Sequence, residues 1–202
     1  MRYFILAFLL LGFSSYAQPT ISKQDKSKDK SKLIKLEEFK LNSERLKVFL
    51  MVEVITKELV NNGIKLNQEA GNDLIKTEIL FSNFNDKYGL EFNNTIALAL
   101  GSNIDSLIKI DINIKLWDDL SGFEQAATIC HEVCHDVLNV KHIEDDRLNL
   151  MHPFFQPLNY NELQIMINKF IRDYKTGRVE LFNEGVFVHD MSKKNLPYIK
   201  KI

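Results

Sequence analysis

The stretch from Leu107 to Leu138 constrains the fold of this chain more than any other. It opens with LIKIDINIKL, in which Ile108, Ile110, Ile112 and Ile114 alternate with Lys109, Asp111, Asn113 and Lys115. Successive side chains of a strand point to opposite faces, so the alternation predicts a half-buried strand over Leu107–Leu116. Shortly afterwards comes Ser121-Gly122-Phe123-Glu124. In this S-x-x-E pattern the serine hydroxyl accepts the N–H three residues on, and the glutamate reaches back to the serine N–H. A helix is therefore expected from Gly122 to about Leu138, directly after a strand.

Helices and strands also mix on either side. Leu46, Phe49, Leu50, Val54, Ile55, Leu59 and Val60 recur at helical spacing before Gly63, predicting a backing helix over Ser43–Asn62. TEILFS, Thr77–Ser82, reads as a strand, Asn83–Lys87 as a turn, and Tyr88–Phe92 as a second strand before Asn93-Asn94. Thr95–Leu100 is a further strand ended by Gly101-Ser102-Asn103, and the candidate for a sheet edge. A C-terminal helix is expected over Tyr160–Thr176, stopped by Gly177. The fold class is therefore α/β (α+β), with a mixed, twisted sheet. Residues 178–202 read as a tail with a hairpin candidate at Asn183-Glu184-Gly185.

With 202 residues and 45% of them hydrophobic, the chain can bury one core without disulfide staples, so 33–177 is read as one domain and the protein as a monomer. Its 26 Lys+Arg against 27 Asp+Glu offer no electrostatic footprint for nucleic acid. The N-terminal MRYFILAFLLLGFSSYAQ has the parts of a signal peptide: Arg2, the apolar run Tyr3–Phe13, and small residues at Ser15 and Ala17 for cleavage after Ala17. The run is too short for a stable membrane span, and no cysteine follows it to carry a lipid. The mature protein is expected to be secreted or periplasmic. Residues 18–32 are polar, lysine-rich and without apolar periodicity, as in a flexible linker or short pro-segment.

HEVCHDVLNVKH, residues 131–142, carries the chemistry. His131 and His135 stand four apart on the expected helix, so their imidazoles share one face, about 6 Å apart at Cβ. That spread suits two nitrogens about 2 Å from one zinc ion. Glu132 adjoins a ligand and is placed to take a proton from water. The only cysteines, Cys130 and Cys134, share a helix face, but a disulfide there would be strained. They are read as small apolar groups packing under the helix.

The segment from Asp111 to Pro153 resembles the metzincin clan of zinc peptidases, whose members carry H-E-x-x-H-x-x-G-x-x-H and then a turn with a methionine beneath the metal. LNLMHP, Leu148–Pro153, is similar to that turn. The resemblance implies His131, His135 and His142 as zinc ligands, Glu132 as general base and Met151 as the Met-turn methionine. The clan's glycine position holds Leu138 here, and the third histidine comes one residue late. Asn139 is the residue best suited after glycine to a left-handed helix end, and it keeps the clan's spacing to His142. The helix is then one residue longer, which rotates its exit by about 100°. Glu144, Asp145 and Asp146 remain alternatives to His142 as third ligand, and Asp136 is a candidate to orient a ligand. Pro153 occupies the place of a tyrosine that touches the metal in some members. His152 and His189 receive no role. The function implied is an exported zinc-dependent endopeptidase acting on peptide or protein substrates, with Thr95–Leu100 as the edge that binds them. The alternatives are another zinc hydrolase, such as a cell-wall peptide amidase, or a non-catalytic exported binding protein on the same fold.

Overall fold

The computed structural model describes residues 26–66, 76–100, 107–155, 159–182 and 200–201. The signal-peptide reading of 1–17, the Gly101-Ser102-Asn103 turn, the hairpin candidate at 183–185 and His189 lie outside them. The described elements are helix α1 (Lys26–Asn61), strand β1 (Lys76–Ser82), helix α2 (Phe84–Lys87), a 3-10 turn (Leu90–Phe92), strands β2 (Ala97–Leu100) and β3 (Leu107–Asn113), and helices α3 (Ile114–Trp117) and α4 (Gly122–Leu138). Strand β4 (Phe154–Phe155), helix α5 (Tyr160–Lys175) and strand β5 (Lys200–Lys201) complete the set, an α+β arrangement.

The main sheet is mixed, in the order β1-β3-β2. β3 is central, parallel to β1 with Lys76 opposite Leu107, and antiparallel to β2 with Ala97 opposite Ile112. Ile108, Ile110 and Ile112 face a core built from α1, α4 and α5. The other face is covered too: Phe84, Phe92 and Leu98 form a second apolar cluster with Tyr88 and Leu100. That second cover corrects the half-buried reading of β3. Asp111 is fully buried, and Asn113 is buried with its amide donating to Thr95 O at 2.9 Å. Ser82 Oγ (2.8 Å), Lys87 Nζ (2.6 Å) and Tyr88 OH (2.6 Å) all donate to the Asp111 carboxylate. An alternating pattern marks which side chains share a face, but not whether something covers the polar face.

Other boundaries moved for local reasons. β3 ends at Asn113, whose side chain accepts the Lys115 N–H and starts α3, so Ile114 is exposed rather than aligned with the other isoleucines. The Asn83–Lys87 turn is the helical turn α2, and the expected strand over Tyr88–Phe92 is a 3-10 turn. Gly89, at φ 111°, leaves the extended path there. α1 reaches back to Lys26, into the segment read as a linker. A polar run free of glycine and proline can be a solvated helix as readily as a coil, and periodicity cannot choose between them. Its buried stripe is Val48, Met51, Val52, Ile55 and Leu59, while Leu46, Leu50 and Val60 are exposed. No described helix is long and apolar enough to cross a membrane.

α4 lies at the centre and is buried on every side from Gln125 to Leu138. Both halves of its capping box form: Glu124 N–H donates to Ser121 Oγ at 3.3 Å and Ser121 N–H to Glu124 Oε2 at 2.6 Å. α5 has a second capping box from Asn159 and Glu162 and packs against α4.

Candidate metal centre

α4 presents His131 and His135 one turn apart, both buried. It ends at Asn139, the one non-glycine residue with positive φ among those described, at φ 58° and ψ 31°. That left-handed residue reverses the chain within one step, and the backbone then delivers His142. His135 Nε2 lies 2.9 Å from His131 Nε2, and His142 Nε2 lies 3.0 Å from each. The helix that is one residue longer therefore still brings the three imidazoles together.

The partners of the other ring nitrogens determine the protonation. His131 Nδ1 is 2.7 Å from Leu150 O and His135 Nδ1 is 2.6 Å from Val140 O. A carbonyl oxygen only accepts, so each Nδ1 carries the proton and each Nε2 presents a lone pair. Two lone pairs then face each other at 2.9 Å, with a third nitrogen 3.0 Å from both. At most one proton, on His142, can be shared among them while all three rings are neutral. A cation between them turns this repulsion into coordination, and a carbonyl acceptor behind a ligating imidazole is the usual support for it. His131, His135 and His142 can thus hold a metal ion. Three imidazoles suit zinc, copper, iron or nickel and do not by themselves choose.

Glu132, next to His131, points elsewhere. Its Oε2 accepts the Ala99 N–H of β2 at 2.6 Å. Ile96 O accepts from Asn113 N–H at 2.8 Å, so the even-numbered residues of β2 turn their peptide groups to β3 and Ala99 turns its own away, toward α4. Burial pushes the Glu132 carboxyl up to about 8, partly opposed by the Ala99 N–H.

The loop after the third histidine supports the first. Leu150, whose carbonyl orients His131, belongs to a turn organised by buried Asn149. Asn149 Oδ1 accepts the Met151 N–H at 3.0 Å and Asn149 O accepts the His152 N–H at 3.1 Å. Met151 is fully buried, and its carbonyl accepts the Ile143 N–H at 2.9 Å, tying this turn to the residue after His142. The other candidates stand apart from the three nitrogens. Glu144 and Asp145 are exposed, and Asp146 pairs with Lys169. Asp136 accepts the Lys109 N–H of β3 at 3.1 Å, and the described orienting groups of His131 and His135 are carbonyls. Cys130 and Cys134 are buried free thiols, and burial, then the contact with Cys130, pushes the Cys134 thiol up.

Sequence reasoning missed Leu150 O, Val140 O and the Ala99 N–H, which are backbone groups without a side-chain signature. Asn149 had a detectable signal, since asparagine readily bonds the N–H two residues on. The chain matches no family model, no curated protein and no solved structure.

Proposed function

We propose that this chain is an exported, metzincin-like, zinc-dependent endopeptidase, with His131, His135 and His142 as ligands and Glu132 as general base. One observation carries the reading. Three imidazole nitrogens converge to within 3.0 Å of one another, and the carboxyl next in sequence to one of these histidines is buried and held by the Ala99 N–H of β2. Three protein ligands is the number found in catalytic zinc sites, whereas structural sites take four. Zinc held there would polarise the scissile carbonyl and acidify water.

The chain's own groups do the rest. Once ionised, Glu132 keeps Oε2 on the Ala99 N–H and would use Oε1 to receive the proton from the attacking water and hand it to the leaving amine. The Leu150 and Val140 carbonyls hold His131 and His135 in the tautomer that keeps Nε2 free to ligate. Ala97, Leu98 and Ala99 of β2 are fully buried and the Ala99 N–H is taken by Glu132, so this edge is covered and does not offer itself to a peptide as expected for Thr95–Leu100.

The test is metal content and cleavage of a peptide library by the purified protein beside Glu132→Ala and His142→Ala. Glu132→Ala should keep its zinc and lose about 10²- to 10⁴-fold in rate, and His142→Ala should lose zinc affinity. A wild-type protein that holds stoichiometric zinc and cleaves nothing would point to a non-catalytic binding role.

A further inference from the structure

The residues after α5 are tied to the loop that carries the third histidine. Gly177, at φ 67°, closes the helix: its N–H donates to Tyr174 O at 3.1 Å and the Arg178 N–H to Asp173 O at 2.9 Å. The chain then turns back and Val179 packs on the core. Beyond it, Lys141 N–H donates to Glu180 O at 2.9 Å and Phe182 N–H donates to Asn139 O at 2.8 Å. Val140 and Leu181 are antiparallel bridge partners, and the Asn139 side-chain amide donates to Phe182 O. The Phe182 ring stands 6.4 Å from the His135 ring.

The three residues gripped in this way, Asn139 to Lys141, are the whole connection between α4 and His142. Val140, at their centre, also supplies the carbonyl that orients His135. The Val140 N–H itself reaches α4 only by a long bond, to Cys134 O at 3.4 Å. A ligand on a loop loses affinity by the entropy of fixing that loop, and main-chain pairing on both flanks of Val140 removes that freedom before any metal arrives. We infer that Glu180-Leu181-Phe182 is a positioning strap for the metal centre, aiming His142 and fixing the carbonyl behind His135. This rests on the three-histidine metal centre and not on the peptidase reading.

The test is zinc affinity of the full chain by competition with a chromophoric chelator. Phe182→Pro removes the N–H that donates to Asn139 O, while Phe182→Ala keeps that N–H and removes the ring. Phe182→Pro should bind zinc about tenfold to a hundredfold more weakly, as expected when support behind a ligand is lost, and Phe182→Ala should stay close to wild type. Wild-type affinity in Phe182→Pro, or the same loss in Phe182→Ala, overturns the main-chain strap. A wild-type chain that takes up no zinc overturns the metal centre and this inference with it. Amide exchange in the wild-type protein tests the coupling without any variant. Since coupling is reciprocal, zinc should slow exchange at Lys141 and Phe182, and equal rates with and without zinc would refute it.

Discussion

Asn139 can be probed by two substitutions that remove the same side-chain bond and differ in the backbone conformation they tolerate. At φ 58° and ψ 31° the residue is left-handed, where a Cβ-bearing residue other than asparagine or aspartate pays about 1–2 kcal/mol. Its side-chain amide also donates to Phe182 O, and the residue is 9% exposed, so losing that bond removes about 1 kcal/mol. Asn139→Ala therefore destabilises by about 2–3 kcal/mol. Asn139→Gly loses the same bond but escapes the conformational strain. Its greater freedom in the unfolded chain returns about 0.4–1 kcal/mol of that advantage. The alanine variant should thus be the less stable of the two by about 1 kcal/mol. Urea unfolding of chelator-treated protein, extrapolated linearly to water, reads the difference without any contribution from metal. Equal stabilities would refute the claim that a left-handed helix end is what Asn139 provides. With metal present the order should persist as zinc affinity, because a relaxed turn at 139 moves His142.

Two further outcomes follow from the buried polar groups. Tyr88→Phe should cost about 1.5 kcal/mol, the low end for a bond to a charged acceptor because Tyr88 is half-buried, and urea unfolding at neutral pH measures it. Burial first, and then the Asp111 bond, raise the Tyr88 phenol above its ordinary 10.0. Its contribution is therefore complete below pH 10 and is lost as pH climbs toward the folded value, so wild type should lose more stability than Tyr88→Phe above about pH 10. Cys130 and Cys134 are free and buried, with the Cys134 thiol pushed up by burial. They should resist an aromatic disulfide reagent in native buffer and both react in urea; fast labelling of the native protein would contradict their place in the core.

Features set within a few residues of chain were legible from the sequence. Ser121 and Glu124 meet across one turn, the buried isoleucines of β3 repeat every second residue, and Gly177 ends α5. The spacing of His131, His135 and His142 could be read with the helix, because α-helical geometry places two of them and the left-handed residue at 139 places the third. The covered face of β3 was missed because the contacts that bury it came from elsewhere in the chain. Asp111 looked like a solvent-facing residue of an alternating strand until Ser82, Lys87 and Tyr88 covered it.

What tertiary structure alone decided is which backbone groups support the centre. Leu150 O and Val140 O choose the tautomers, the Ala99 N–H holds Glu132, and Glu180 and Phe182 grip the loop that ends in His142. Every residue but proline carries the same N–H and C=O, so their identity in the sequence says nothing of where they will point. Only the packing of β2, α4 and the returning chain aims them at these side chains.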